Sequence, residues 1–410
     1  MRFLNSELLA PPLLPADLGA QSANCAIRSQ PASERYKTHS AVKYDQSGWE
    51  HRIAADWRYF DAPASEGWLT VIDFRKVGDQ LAYRYLANDN SHNSLYEPWS
   101  SSKIFAFTAA VATLRQHGIG ADASVGGITL RDMATSINSY AKAGNANGNS
   151  NAIATYLLNI AGRDFATSLF HDAWLKLGNT QVRFRGAYGP TALDPGTNEF
   201  VSRDGDKRYT PPVFVDAGKD PGYLPYRCTQ CGTDGNKAMT ALAQTEWLKR
   251  LASHDREPAT RHPQLTRADV ETLLYGGSEL PPGSTGGMLT GISVLLPNAL
   301  AQALQPQTTQ AAATTLDGLT HGRWRVYQKV GWGPSETRGT SELVMLAHVC
   351  LPNVGGTGRE FTLLARTSVP GDEIDESGVG RAGLKMRDLL NRSLPALLDN
   401  SSAHQQEEAQ

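Results

Sequence analysis

Strand-like sequence lies at both ends of this chain, and that placement restricts the fold more than any other feature. Near the start, residues 67–74 and 80–86 are rich in β-branched and aromatic side chains and flank a turn at Val77-Gly78-Asp79. Near the end, residues 324–329, 341–349 and 360–366 have the same character, and an amphipathic helix over about 380–397 closes the pattern. Between the two groups, helical periodicity alternates with loops. The expected fold is therefore α/β: an antiparallel sheet built from both chain ends, flanked by helices, with a mostly helical subdomain inserted.

The same pattern sets the organisation. Residues 1–50 read as an irregular polar arm or linker, residues 51–398 as one domain, and residues 399–410 as a polar tail. The helical subdomain occupies about 120–315. Within it, helices are expected from Thr129 as N-cap to about Ala143, over 151–160, over 163–177, and over 237–254 and 266–275. Residues 183–236 carry much Gly, Pro, Asp and Tyr with little periodicity, and a segment that long is usually functional or an insertion. Residues 301–314 read as polar and alanine-rich.

Composition excludes some classes of function. A net charge of −2 with no basic run argues against a nucleic-acid binder. No stretch approaches the ~20 apolar residues of a membrane-spanning helix. The apolar residues within 1–26 are interrupted by Pro11, Pro12 and Pro15 and preceded only by Arg2, which is not a clean secretory signal. The ten histidines form no ligand pair of HExxH type, and neither a P-loop nor a GxSxG elbow is present, so no metal or cofactor is expected. The four cysteines are Cys25, Cys228, Cys231 and Cys350. Cys228-Thr229-Gln230-Cys231 lacks the second half of a zinc site and sits in loop sequence, so a short disulfide of an exported protein or plain thiols remain as readings. The pairing cannot be read from the sequence.

Chemistry concentrates at Pro98-Trp99-Ser100-Ser101-Ser102-Lys103, which opens the apolar segment 104–114. Ser100 and Lys103 are one helical turn apart and share a face. A serine hydroxyl becomes a nucleophile when a base takes its proton. A lysine serves as that base when burial depresses its pKa. The SxxK spacing also occurs at Ser40-Ala41-Val42-Lys43 and Ser139-Tyr140-Ala141-Lys142, but only Ser100 stands at the start of an apolar helix.

Further elements follow in order. The sequence resembles the serine β-lactamase and penicillin-binding-protein superfamily, in its class A β-lactamase-like branch, over roughly residues 65–398. Asn149-Ser150-Asn151 matches the SxN motif and leads an apolar helix, and Lys329-Val330-Gly331 matches KTG with two strands and a helix to come. The resemblance implies Ser100 as the acylated nucleophile and Lys103 as its base. It places Asn149 and Ser150 in the catalytic group and gives Asn151 the substrate amide. Lys329, with Val330, Gly331 and Trp332 beside it, would bind the substrate carboxylate, and the N–H groups of Ser100 and Trp332 would form the oxyanion hole. It further implies a monomer in the periplasm or secreted, acting on a β-lactam or peptidoglycan-like small molecule or peptide.

The departures are specific. Asn149 replaces a serine that relays a proton, leaving Ser150 as a substitute. Val330 replaces a carboxylate-binding threonine. Residues 182–190 hold no carboxylate to activate a deacylating water, and Glu199, downstream in the long loop, is the candidate to stand in. Arg338 and Arg366 are candidates for the substrate carboxylate, while His321 and His348 read as structural. The function expected is a serine hydrolase cleaving an amide or ester. A D-Ala-D-Ala carboxypeptidase and a catalytically degenerate peptidoglycan- or peptide-binding member are the alternatives.

Overall fold

A computed structural model describes residues 3–19, 24–212, 217–224, 237–278, 280–281, 283–335, 338–371 and 376–399. In chain order, β1 (Lys37–Thr38), α1 (His39–Val42) and β2 (Ala55–Asp56) precede the hairpin β3 (Trp68–Val77) and β4 (Gln80–Ala87). The inserted region holds α2 (Lys103–Arg115), β5 (Ser124–Val125), β6 (Ile128–Thr129), α3 (Leu130–Ser139), α4 (Ser150–Ala161) and α5 (Arg163–Ser168). It continues with β7 (Phe200–Val201), β8 (Arg208–Tyr209), α6 (Ala241–Ala252), α7 (Arg267–Tyr275), α8 (Leu295–Leu304) and α9 (Ala312–Thr320). The chain closes with β9 (Arg325–Ser335), β10 (Thr340–Leu351), β11 (Arg359–Pro370) and α10 (Glu376–Leu398).

The two ends meet as the strand pattern requires. The large sheet runs β1-β4-β3-β11-β10-β9, and antiparallel pairing of β11 with β3, from Phe361 opposite Asp73 to Arg366 opposite Trp68, joins them. Only β2, parallel to β4, departs from the antiparallel rule among the described strands. Successive residues of β10 face opposite ways. Val344 and Leu346 join a core with Ile72, Phe105 and Trp247, while Leu343 and Met345 join another with Leu69, Val71, Met386 and Leu390. Both faces are covered, so β10 reads as a nearly continuous apolar run. Among the described strands β9 is an edge strand, and alternate N–H groups on it have no partner in the sheet.

Helix starts follow their caps. Thr129 Oγ1 accepts from the Asp132 N–H at 3.0 Å, and Asn149 Oδ1 accepts from the Ala152 N–H at 3.1 Å. Helix ends depart from expectation. α3 stops at Ser139 because Tyr140 turns into the left-handed region, φ 56°. The helix expected over 163–177 ends at Ser168 and gives way to turns. Part of the stretch 301–314 is helical, in α8 and α9.

Described residues among the first 50 pack against the sheet. Val42, Tyr44 and Trp49 are fully buried, Trp49 Nε1 donates to the Leu175 carbonyl at 2.8 Å, and Cys25 forms a disulfide with Cys350 of β10. Cys228 and Cys231 lie outside the described residues, as does the tail from 400. The described part of 183–236 contributes β7 and β8, which extend β5 and β6 into a small antiparallel sheet. Among the described residues no helix is long and apolar enough to cross a membrane.

Candidate active site

The edge of β9, the start of α2, the end of α3 and the start of α4 meet around a cavity of about 730 Å³. Ser100, Asn149, Ser150, Asn151 and Trp332 line it, so two distant parts of the sequence and the β9 edge converge as the motif order implies. Ser100 sits in a short 3-10 turn, Trp99–Ser102, that runs into α2. Trp99, just before it, has φ 50°, an uncommon value for a bulky residue and one that stores strain. Two contacts hold that turn. Trp99 Nε1 donates to Glu342 Oε2 at 3.1 Å, and the Trp99 ring lies where a Cβ on Gly333 would come within 2.4 Å.

Lys103 is fully buried at the first turn of α2. Its Nζ donates to Ser150 Oγ at 2.8 Å and to Asn151 Oδ1 at 2.6 Å. Ser150 Oγ in turn donates to the Ile137 carbonyl at 3.0 Å. Burial, then the nearby Lys237 charge, brings the Lys103 pKa down to about 7. A neutral amine has two N–H groups and one lone pair. With both N–H groups spent on Ser150 and Asn151, the lone pair of neutral Lys103 is left to accept a proton.

The third motif divides between two faces of β9. Lys329 and Val330 point opposite ways, as strand period demands. Val330, opposite Met345, is buried in the core beneath α10, so its side chain takes no part in the cavity wall. Gly331 comes against the nucleophile turn: a Cβ there would lie 2.5 Å from the Ser100 nitrogen and 2.4 Å from the Ser101 nitrogen. Lys329 does not reach the cavity wall. It is fully buried, with Nζ 3.7 Å from the centre of the Tyr140 ring, and burial followed by the Lys103 charge holds its pKa well below the usual lysine value.

Tyr140 is the residue that motif reading passed over. It belongs to the second SxxK match, whose Lys142 is exposed, and its left-handed backbone turns the ring into the site. Its hydroxyl donates to the Val330 carbonyl at 2.9 Å and is a hydrogen-bond partner of Ser100. Burial raises its pKa, more than Ser100 lowers it, so the phenol keeps its proton at neutral pH. The ring also lies 5.3 Å from Lys103 Nζ and 5.1 Å from the Trp332 ring. Asn149, by contrast, is occupied as the cap of α4.

A second pair in the wall also escaped sequence reading. Glu97, three residues before Ser100, faces Lys237 at 3.5 Å, and both are buried. Lys237 Nζ also donates to the Ala187 carbonyl at 2.9 Å. Glu97 Oε2 is buried without a hydrogen-bond partner. Burial raises the Glu97 pKa against the lowering effect of Lys237. No local pattern marks either residue, because the two are far apart in the sequence and meet only in the fold. Glu199 is elsewhere, at the surface 2.8 Å from Arg208.

The remaining candidates are engaged in structure. Arg338 and Arg366 each meet Glu342 at 2.8 Å. His348 is buried against Thr362 and Glu360, and His321 caps α9 with φ 55°. Among the described residues no group of His, Cys, Asp and Glu is arranged to hold a metal ion.

No family model matches the sequence, and no curated protein matches it. Among solved structures, the chain is similar to the TLA-3 extended-spectrum β-lactamase at 11% identity and TM-score 0.44, over 88% of this chain and 100% of that one. It is similar to the TLA-1 extended-spectrum β-lactamase at 11% and 0.42, over 81% and 93%. The class A β-lactamase of the last common ancestor of Gram-negative bacteria gives 14% and 0.39, over 81% and 95%. Identities and scores this low say nothing of activity.

Proposed function

We propose that this protein is a serine hydrolase that cleaves an amide or ester through an acyl-enzyme on Ser100, with Lys103 as base. The observation that carries the reading is the state of Lys103. It is one helical turn from Ser100, fully buried, brought to a pKa of about 7, and held by Ser150 and Asn151 with its lone pair unused.

The reaction runs as follows. Lys103 takes the Ser100 proton as Oγ bonds to the substrate carbonyl carbon. The N–H groups of Ser100 and Trp332, both residues of the cavity wall, would donate to the oxygen that gains charge. Tyr140, neutral and hydrogen-bonded to Ser100, gives its proton to the leaving nitrogen or oxygen as that bond breaks, and recovers one from Lys103. This supplies the relay that Asn149 cannot. Glu97 takes a proton from a water that attacks the acyl carbon. The bond to Oγ then breaks, the proton returns to Ser100, and the acid is released. The carboxylate thus comes from the segment before the nucleophile instead of from 182–190.

The cavity, about 730 Å³, suits a small-molecule substrate. The Cys25–Cys350 disulfide supports an oxidising compartment, periplasmic or extracellular. The test is labelling of the intact protein by a fluorophosphonate probe, read by mass. Stoichiometric labelling that Ser100→Ala abolishes is expected. A folded protein that takes no label overturns the reading and leaves a binding protein in its place.

A further inference from the structure

We propose that the cavity accepts an uncharged acyl compound, an ester or amide whose acyl part is aromatic or broadly apolar and carries no carboxylate. This rests on the acyl-enzyme reading of Ser100 and names the substrate class for that site. It departs from the sequence expectation, which assigned a substrate carboxylate to Lys329, Arg338 or Arg366.

The cations around the cavity, Lys329 apart, are already committed. Lys329 Nζ has no hydrogen-bond partner, but it is fully buried beneath the Tyr140 ring and outside the wall, where burial and the Lys103 charge disfavour its charged form. Arg338 and Arg366 share Glu342, which also receives Trp99 Nε1. Arg163 is buried against Asp220 at 3.2 Å and donates to Asn159 at 2.7 Å. Lys103 serves Ser150 and Asn151. Among the described residues, the charged side chains in the wall are Lys237 and Glu97, which face each other. Their charges cancel toward a ligand, and the unpartnered Glu97 Oε2 opposes an approaching anion.

The hydroxyl that would complete a carboxylate site is missing as well, because Val330 occupies its place in the strand and turns into the core. A carboxylate entering this cavity would shed water and meet no free cation among the described wall residues. An apolar group finds the reverse. Trp99, Tyr140, Tyr188, Tyr223 and Trp332 bring aromatic rings to the wall, with faces and edges suited to flat or branched apolar groups.

The experiment compares two activated esters on the full-length protein at one pH and ionic strength: 4-nitrophenyl butyrate and its acid-bearing counterpart, 4-nitrophenyl hemisuccinate. The second-order rate constant kcat/KM for nitrophenol release reads acylation alone, whatever the rate of deacylation. The neutral ester is expected to acylate faster by about 100-fold in the second-order rate constant. Phenylboronic acid is likewise expected to inhibit more tightly than 3-carboxyphenylboronic acid, by about 30-fold. Equal or better acylation by the acid ester, with fluorophosphonate labelling of Ser100 intact, overturns this substrate class and leaves the serine hydrolase standing. Absence of both nitrophenol release and labelling overturns the acyl-enzyme reading and this inference with it.

Discussion

Asn151 Oδ1 accepts a hydrogen bond from Lys103 Nζ at 2.6 Å, tying the first turn of α2 to the first turn of α4 across 48 residues of sequence. That bond fixes the lysine from the side opposite its own helix, so its position depends on how α4 starts. Asn149 caps that start, which gives the residue a function in the site although its amide relays no proton.

Acylation should follow the titration of Lys103. Its folded pKa of about 7 means the amine is protonated below neutral pH and free above it. The burst rate with an activated ester is expected to rise with pH through a midpoint near 7 and then level off. Lys103→Arg, charged at every accessible pH, should lower that rate by about 10³-fold.

The same lysine should cost stability. Between pH values of about 7 and 10.5 the unfolded chain carries a proton on Lys103 that the folded chain lacks, so unfolding takes one up and stability rises with pH across that window. At pH 7 most of the cost is present. Lys103→Met is expected to raise the unfolding free energy at pH 7 by about 1 kcal/mol or more while abolishing labelling of Ser100. Denaturant titration at pH 7 and 10 checks both the gain and its shrinkage at the higher pH.

Tyr140→Phe should separate substrates by leaving group. Nitrophenolate leaves without a proton, whereas an amine or alkoxide needs one. Burst rates with 4-nitrophenyl esters are expected to fall by less than about tenfold, and cleavage of the matching anilide or alkyl ester by about 10²-fold or more. An equal loss on all substrates would mark the phenol as a packing group only.

Glu97→Gln is expected to stop the reaction halfway. The burst should persist and steady turnover should fall by about 10²-fold or more, with the acyl mass remaining on the protein for minutes. Intact-mass spectra at timed intervals measure this directly.

Gly331→Ala tests the approach of β9 to the nucleophile turn. The new methyl would meet the Ser100 and Ser101 nitrogens at about 2.5 Å, and relief requires the strand edge or the turn to move. A drop of about 10²-fold in acylation is expected with little change in the circular dichroism spectrum, since a shift on the order of 1 Å suffices for that loss.

Sequence alone carried the sheet and the order of the motifs because those depend on local pattern. Residues 67–74 and 360–366 read as strands wherever they pair, and Ser100 stood out from two other SxxK matches by the apolar helix after it. What could be read and was missed is Val330: strand alternation sends it away from the face shared by Lys329 and Gly331. Tyr140 and Glu97 are a different case. One enters the site because a helix ends one residue before it in a left-handed turn, and the other because Lys237, distant in sequence, meets it in the fold. Neither event leaves a period or a motif.

The pairing of β11 with β3 also bears on how the molecule is made. β3 and β4 leave the ribosome as a bare hairpin, and the strand that must cover β3 is still about 280 residues away. At about 5–20 residues per second that interval lasts tens of seconds. Throughout it the apolar flank of Trp68–Val77 stands open to any other extended chain. Cys25 waits still longer, until Cys350 emerges. A protein built this way has an early half that cannot finish alone, and its yield in a cell should depend on holdase chaperones during synthesis more than on the stability of the finished fold.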